Sequence, residues 1–169
     1  MRSFLRLNKE HTTQKASNSN ANNGRVEWKY GLFEAVHDDG EEAIVDIYFV
    51  HGLNGDRFES FTYLGNGGTT CFWPKDLLPE RLHAAGIKAR IFCYGYNANT
   101  HTGRISLQSL WDHGEEFLKT VAEERYIEGK QERPIIFMAY SLGGLVVKSA
   151  LNLSYLSSPQ DDPISHTVF

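Results

Sequence analysis

The segment Ile135-Ile136-Phe137-Met138-Ala139-Tyr140-Ser141-Leu142-Gly143-Gly144-Leu145-Val146-Val147 joins an apolar run to an amphipathic one, with a serine at the junction. Its first half is continuously apolar and reads as a strand. Its second half continues to Leu156, with Leu145, Val146, Ala150 and Leu153 at helical spacing. The spacing predicts a strand over 134–140 and a helix over 143–156. A strand that turns straight into a helix forces the residue at the turn into strained backbone geometry, which only small neighbours two positions away tolerate. Ala139 and Gly143 meet that size requirement. Ser141 is therefore a candidate nucleophile, raised above the carboxyl edge of a sheet. The amide of Leu142, at a helix N-terminus, is a candidate oxyanion donor. The competing reading is a serine that only caps the helix. The strand and helix around it, and the loop described next, weigh against that reading.

Upstream, Ala43 to Val50, nearly continuous in hydrophobicity apart from Asp46, reads as a strand buried on both faces and runs into His51-Gly52-Leu53-Asn54-Gly55. Such a loop supplies a second oxyanion amide, here that of Leu53. Gly52 lets the backbone come close to a substrate. His51 reads as support for the loop rather than as a base. Val26 to Phe33 and Ala89 to Tyr96 are further strands. A short helix follows Pro74, with Leu77, Leu78, Leu82 and Ala85 along it until Gly86 stops it. A longer helix carries Leu107, Leu110, Trp111, Gly114, Phe117, Leu118, Val121 and Ala122 on one stripe. Strands alternating with helices predict an α/β fold, a mostly parallel sheet with helices on both faces.

The 169 residues suit one domain, with 41% hydrophobic and 22% charged residues. Net charge −4 and pI near 6.0 give no reason to expect nucleic acid. No apolar run reaches the ~18 residues that span a bilayer. Cys71 and Cys93 lie apart, without metal-ligand spacing, and read as reduced thiols rather than a disulfide. Residues 1–25 carry Arg2, Arg6, Lys9, Lys15 and Arg25 against one acid, Glu10, in a Ser/Asn-rich stretch. That composition predicts a disordered basic tail, with the folded part at 26–169. The tail lacks a secretory h-region, so the chain is not expected to be secreted. A solvated tail is favoured over a mitochondrial transit peptide.

Four segments in order carry a family resemblance: Val50-His51-Gly52-Leu53-Asn54-Gly55; Phe72-Trp73-Pro74-Lys75-Asp76-Leu77-Leu78-Pro79; Ala89-Arg90-Ile91-Phe92-Cys93-Tyr94-Gly95-Tyr96-Asn97-Ala98; and Arg133-Pro134-Ile135-Ile136-Phe137 leading to Ser141-Leu142-Gly143-Gly144-Leu145-Val146-Val147-Lys148. Together, over about 26–169, they resemble the SERAC-type lipase-like α/β hydrolases. These are common in fungi, free-standing or as N-terminal domains of NACHT-type receptors. The resemblance implies a partial α/β-hydrolase fold and a serine esterase acting on a lipid or small ester. Ser141 would be the nucleophile, Leu53 and Leu142 would offer the oxyanion amides, and no cofactor or metal is implied. It also implies, for some members, peripheral association with mitochondria or the endoplasmic reticulum, whereas the reduced thiols suit a cytoplasmic setting.

Two departures bear on that expectation. The family's Gly-His-Ser is Ala139-Tyr140-Ser141 here. The family's next strand, with a Gly-Thr-Pro-His turn, should begin near Val168-Phe169, and the acid and base histidine normally follow it. The chain is thus expected to be truncated after the elbow helix, and a second chain is one way to complete the fold. Asp161, Asp162 and His166 are weak substitutes, and His83, His101 and His113 read as solvent-facing. A non-catalytic signalling or binding module is the alternative. Gly65 to Thr70 reads as a flexible loop near the site, and Glu115-Glu116 with Glu123-Glu124-Arg125 as a solvated helix face. Phe58, Phe61, Tyr63, Phe72 and Trp73 either line an acyl pocket or pack the core.

Overall fold

The computed structural model describes residues 29–37, 43–99 and 107–156. Strands β1 (Gly31–Val36), β2 (Val45–Val50), β5 (Ala89–Gly95) and β6 (Ile135–Ala139) form one sheet in the order β1-β5-β2-β6. Strands β5, β2 and β6 are parallel, and β1 runs antiparallel along β5. A short hairpin, β3 (Thr62–Leu64) with β4 (Thr70–Phe72), lies between β2 and the helices α1 (Trp73–Asp76) and α2 (Leu78–Ala84). The long helices are α3 (Leu107–Ile127) and α4 (Leu142–Leu156). The protein is therefore a mixed α/β structure on a mostly parallel sheet.

All six residues of β2 are buried, because both faces of the sheet are covered. Tyr48 and Val50 pack with Phe92, Tyr94, Phe117, Val121 and Val146 under α3 and α4. Val45, Ile47 and Phe49 pack with Ile91, Cys93 and Phe61 toward α1 and α2. Helices thus cover both faces, as the alternation predicts. The two long helices approach closely at Gly114, where an added Cβ would lie 2.5 Å from Ser149 Oγ. Both cysteines are free, and burial pushes the Cys93 thiol up to about 12.

Several expectations need correction. Within the described residues the first strand begins at Gly31 and leaves out Lys29 and Tyr30; residues 26–28 lie outside the described residues, as do the tail, 38–42, 100–106 and 157–169. The buried Arg57 sets where β1 enters the sheet, donating from Nη1 to the carbonyls of Tyr30 (3.2 Å) and Gly31 (3.0 Å). In α4 the inward stripe is Gly143, Val146, Val147, Ala150 and Ser154, and Leu145 is exposed. Gly143 packs against the end of β2, which fixes the rotation of the helix and turns Leu145 outward. Trp111 and Leu77 are likewise exposed. Gly65 to Thr70 is mostly the turn of the β3–β4 hairpin, closed by Gly65 N–H donating to Thr69 O at 2.8 Å.

On α3, Glu115, Glu116 and Glu123 are exposed as expected of a solvated face, but Arg125 is not. Arg125 continues the buried stripe Gly114, Phe117, Val121 at helical spacing and is itself fully buried. It meets Asp46 of β2, together with Arg90 and Arg133, beneath the sheet's amino end. Glu124 is half-buried beside Arg90, 3.5 Å away. Burial raises its carboxyl, partly offset by the Arg90 guanidinium. Among the described residues no strand pairs with the outer edge of β6, where Ile136 and Met138 are exposed. Among them, too, no helix is long and apolar enough to cross a membrane.

Candidate active site

Only Tyr140 and Ser141 separate β6 from α4. Tyr140 N–H donates to Val50 O at 3.0 Å and extends the β2–β6 ladder by one bond. The chain then reverses at Ser141, whose φ is +52°. A left-handed residue other than glycine costs about 1–2 kcal/mol. It persists only where the surroundings fix it. Here Gly143 N–H donates to Tyr140 O (2.9 Å) and Gly144 N–H to Ser141 O (3.0 Å), closing the first turn of α4.

Two glycines make room for this turn. A Cβ on Gly143 would collide with Val50 O and lie 2.6 Å from His51 O. A Cβ on Gly52 would lie 2.9 Å from Tyr140 Cδ1 and 3.1 Å from Ser141 Cβ. The loop after β2 is therefore pressed against the serine. Leu53 is the next residue, with its side chain 42% exposed at the surface. Asn54, at φ +55°, reverses the loop and donates its N–H to Ala98 O at 3.1 Å. Gly55 N–H returns to Gly52 O at 3.2 Å. Neither the Leu53 nor the Leu142 amide has a backbone acceptor among the described residues. For Leu142 this follows from its place as the first residue of a helix.

His51 is buried and fully engaged. Its Nε2 accepts from Tyr96 N–H at 3.2 Å, which leaves Nδ1 to donate to Gly52 O at 2.9 Å. Tyr96 OH donates to His51 O at 2.9 Å, and the two rings stack at 4.4 Å. Burial lowers the His51 pKa, opposed by the Gly52 carbonyl and by Asp56. The ring is neutral and has no free nitrogen to take a proton from Ser141. Folding therefore disfavours the protonated form. Stability is complete above the ordinary histidine value near 6.5 and falls as pH drops below it, toward the depressed folded value. Urea midpoints measured from pH 7.5 to 5 should decline, and His51→Gln should flatten that part of the slope.

The remaining predicted groups are dispersed. His113 is not simply solvent-facing: it is half-buried, edge-on to Tyr96 at 4.9 Å. His83 is exposed on α2, and His37 lies 3.0 Å from Glu34. Among the described residues no histidine is hydrogen-bonded to Ser141. Asp161, Asp162, His101 and His166 lie outside the described residues. Phe61, Phe72 and Trp73 pack under Phe49 and its neighbours, with Trp73 4.8 Å and Phe61 5.1 Å from the Phe49 ring. Phe58 packs on Phe33 at 4.9 Å, and Tyr63 is exposed. That favours core packing over an acyl pocket for these aromatics.

Sequence reasoning missed Tyr96. It stands at the end of an apolar strand, where an aromatic residue is ordinary, and nothing local marks its hydroxyl as a bond to a residue 45 positions away. The structure thus brings Ser141, Leu142, Gly143, His51, Gly52 and Leu53 together at the carboxyl end of β2 and β6. It adds the Tyr96–Ala98 segment as their brace. No protein-family model, curated protein or solved structure matches this chain.

Proposed function

We propose that the chain is a lipase-like serine ester hydrolase built on part of an α/β-hydrolase fold. The carrying observation is the left-handed Ser141 at the direct junction of the parallel strand β6 and the helix α4, with Gly52 pressed against it. In this reading Ser141 Oγ attacks an ester carbonyl. The amides of Leu142 and Leu53 receive the oxyanion, aided by the positive end of α4. The base that takes the serine proton comes from residues outside those described or from a second chain. The resemblance to SERAC-type hydrolases supports a lipid or small ester as substrate, with no cofactor. It also supports a place at the surface of mitochondria or the endoplasmic reticulum, whereas the free thiols suit a cytoplasmic protein.

The alternative is a binding or signalling module that keeps the elbow without the chemistry. The observation favouring it is that no described histidine is bonded to Ser141. A serine without a base is a poor nucleophile. Covalent labelling of the purified chain by a fluorophosphonate separates the two. The hydrolase reading expects labelling that falls to background in Ser141→Ala. A folded wild-type chain that takes no label leaves the binding module.

A further inference from the structure

Three tyrosines, Tyr48, Tyr94 and Tyr96, are buried on the face of the sheet that α3 and α4 cover. Among the described residues the hydroxyls of Tyr48 and Tyr94 have no hydrogen-bond partner. Tyr96 differs: its hydroxyl donates to His51 O at 2.9 Å, and its own N–H donates to His51 Nε2 at 3.2 Å. Burial raises the phenol pKa, so the hydroxyl remains a donor across the ordinary pH range. The contact is reciprocal, because the tyrosine backbone holds the histidine ring and the tyrosine ring holds the histidine backbone.

The carbonyl that Tyr96 holds belongs to the His51–Gly52 peptide. That peptide plane determines where Gly52 rests against Ser141 and where the Leu53 amide begins. On its other side the same carbonyl oxygen lies against Gly143, close to where a Cβ would stand. It is therefore confined between a hydroxyl and the first turn of α4. Without the hydroxyl, the His51 carbonyl keeps only its packing against Gly143, while the next carbonyl, Gly52 O, keeps its bonds from His51 Nδ1 and Gly55 N–H. One residue beyond Leu53, Asn54 N–H is tied to Ala98 O at 3.1 Å. Two bonds from the segment after β5 thus bracket the Leu53 amide.

The geometry points to Tyr96 as a positioning residue, whose hydroxyl orients the His51–Gly52 peptide and so aims the Leu53 amide at the oxyanion formed on Ser141. This rests on the hydrolase reading. An oxyanion donor acts only at the correct position, and loss of one such donor lowers the chemical step about 100-fold or more. A donor misdirected rather than removed lowers it less.

The test compares wild type with Tyr96→Phe, which keeps the stacked ring and the backbone donor and removes only the hydroxyl. Phosphonylation by a fluorophosphonate is followed at varied probe concentration and normalised to the folded fraction. This separates the limiting rate from the concentration giving half of it. The expected result is a limiting rate about tenfold lower with the half-saturating concentration unchanged. A folded Tyr96→Phe chain that reacts at the wild-type rate overturns the proposal and leaves the hydrolase reading intact. A wild-type chain that takes no label overturns both. Amide hydrogen exchange on wild type alone covers the case in which the variant does not fold. The brace predicts slow exchange at Asn54, and exchange there at the rate of an open loop overturns it.

Discussion

Replacing Asp46 with asparagine should lower stability by about 3–5 kcal/mol, the range for breaking a buried ion pair from one side. The Asp46 carboxylate accepts from Arg90 Nε (2.9 Å) and Nη2 (3.1 Å), Arg125 Nη1 (2.7 Å) and Arg133 Nη1 (2.9 Å). Asp46 and Arg125 are fully buried, with Arg90 2% and Arg133 7% exposed. Two carboxylate oxygens suffice for four donors because each has two lone-pair directions. An amide offers one such oxygen and turns an NH2 group toward guanidinium donors. It also carries no charge, so three guanidinium groups would remain close together, with Glu124 3.5 Å from Arg90. The urea midpoint at pH 7 should fall by more than about 1 M, given ordinary m-values. A loss under about 1 kcal/mol would mean that the three arginines are neutralised by something other than Asp46.

Gly143→Ala and Gly144→Ala should move stability in opposite directions, although the two positions are adjacent on one helix. At Gly143 the new Cβ would strike the carbonyl oxygens of Val50 and His51, which are backbone atoms and cannot rotate away. Overpacking of this kind costs about 1–3 kcal/mol, and the rigid neighbours place it at the upper end. The helix can escape only by lifting off β2, which carries Ser141 away from Gly52. Fluorophosphonate labelling should therefore drop with stability. At Gly144 no described atom beyond the helix's own backbone lies within 4 Å of the added Cβ, and alanine is favoured over glycine within a helix. That variant should gain about 0.5–1 kcal/mol and keep its labelling. Thermal or urea unfolding of both variants checks the sign directly. A neutral Gly143→Ala would contradict the close packing of α4 on the end of β2.

Those two pairs also show what a sequence reveals and what it hides. The elbow was legible because its determinants are contiguous: an apolar strand, a serine and a glycine within nine residues, each constrained by local backbone sterics. Strands β2 and β5 were legible because burial on two faces imposes an unbroken apolar run, whereas β6 keeps such a run although Ile136 and Met138 are exposed. The rotation of α4 was not, since Leu145 and Val146 are equally apolar and only the contact of Gly143 with β2 decides between them. The start of β1 depended on Arg57, a residue that is distant in the chain and charged. Asp46 lies inside the run that reads as a buried strand, and Arg125 inside one that reads as a solvated face. Each is explicable only through the other, and 79 residues separate them. Tyr96 was hidden for the same reason. What remained illegible was long-range pairing between polar groups, which leaves no periodic trace.

The separation between Asp46 and its partners also sets the order in which this chain can fold. Arg90, Arg125 and Arg133 lie 44, 79 and 87 residues downstream of it. Contacts of such sequence separation close slowly, because chain entropy must be lost before they form. During synthesis from the N-terminus, the central strand emerges with a bare carboxylate inside its apolar run. That charge keeps the nascent strand solvated and discourages premature pairing with other chains. Only when the residues before β6 have emerged can the last arginine arrive and the strand be buried for good. A group that costs desolvation in the finished protein thus acts, earlier, as a timer on its assembly.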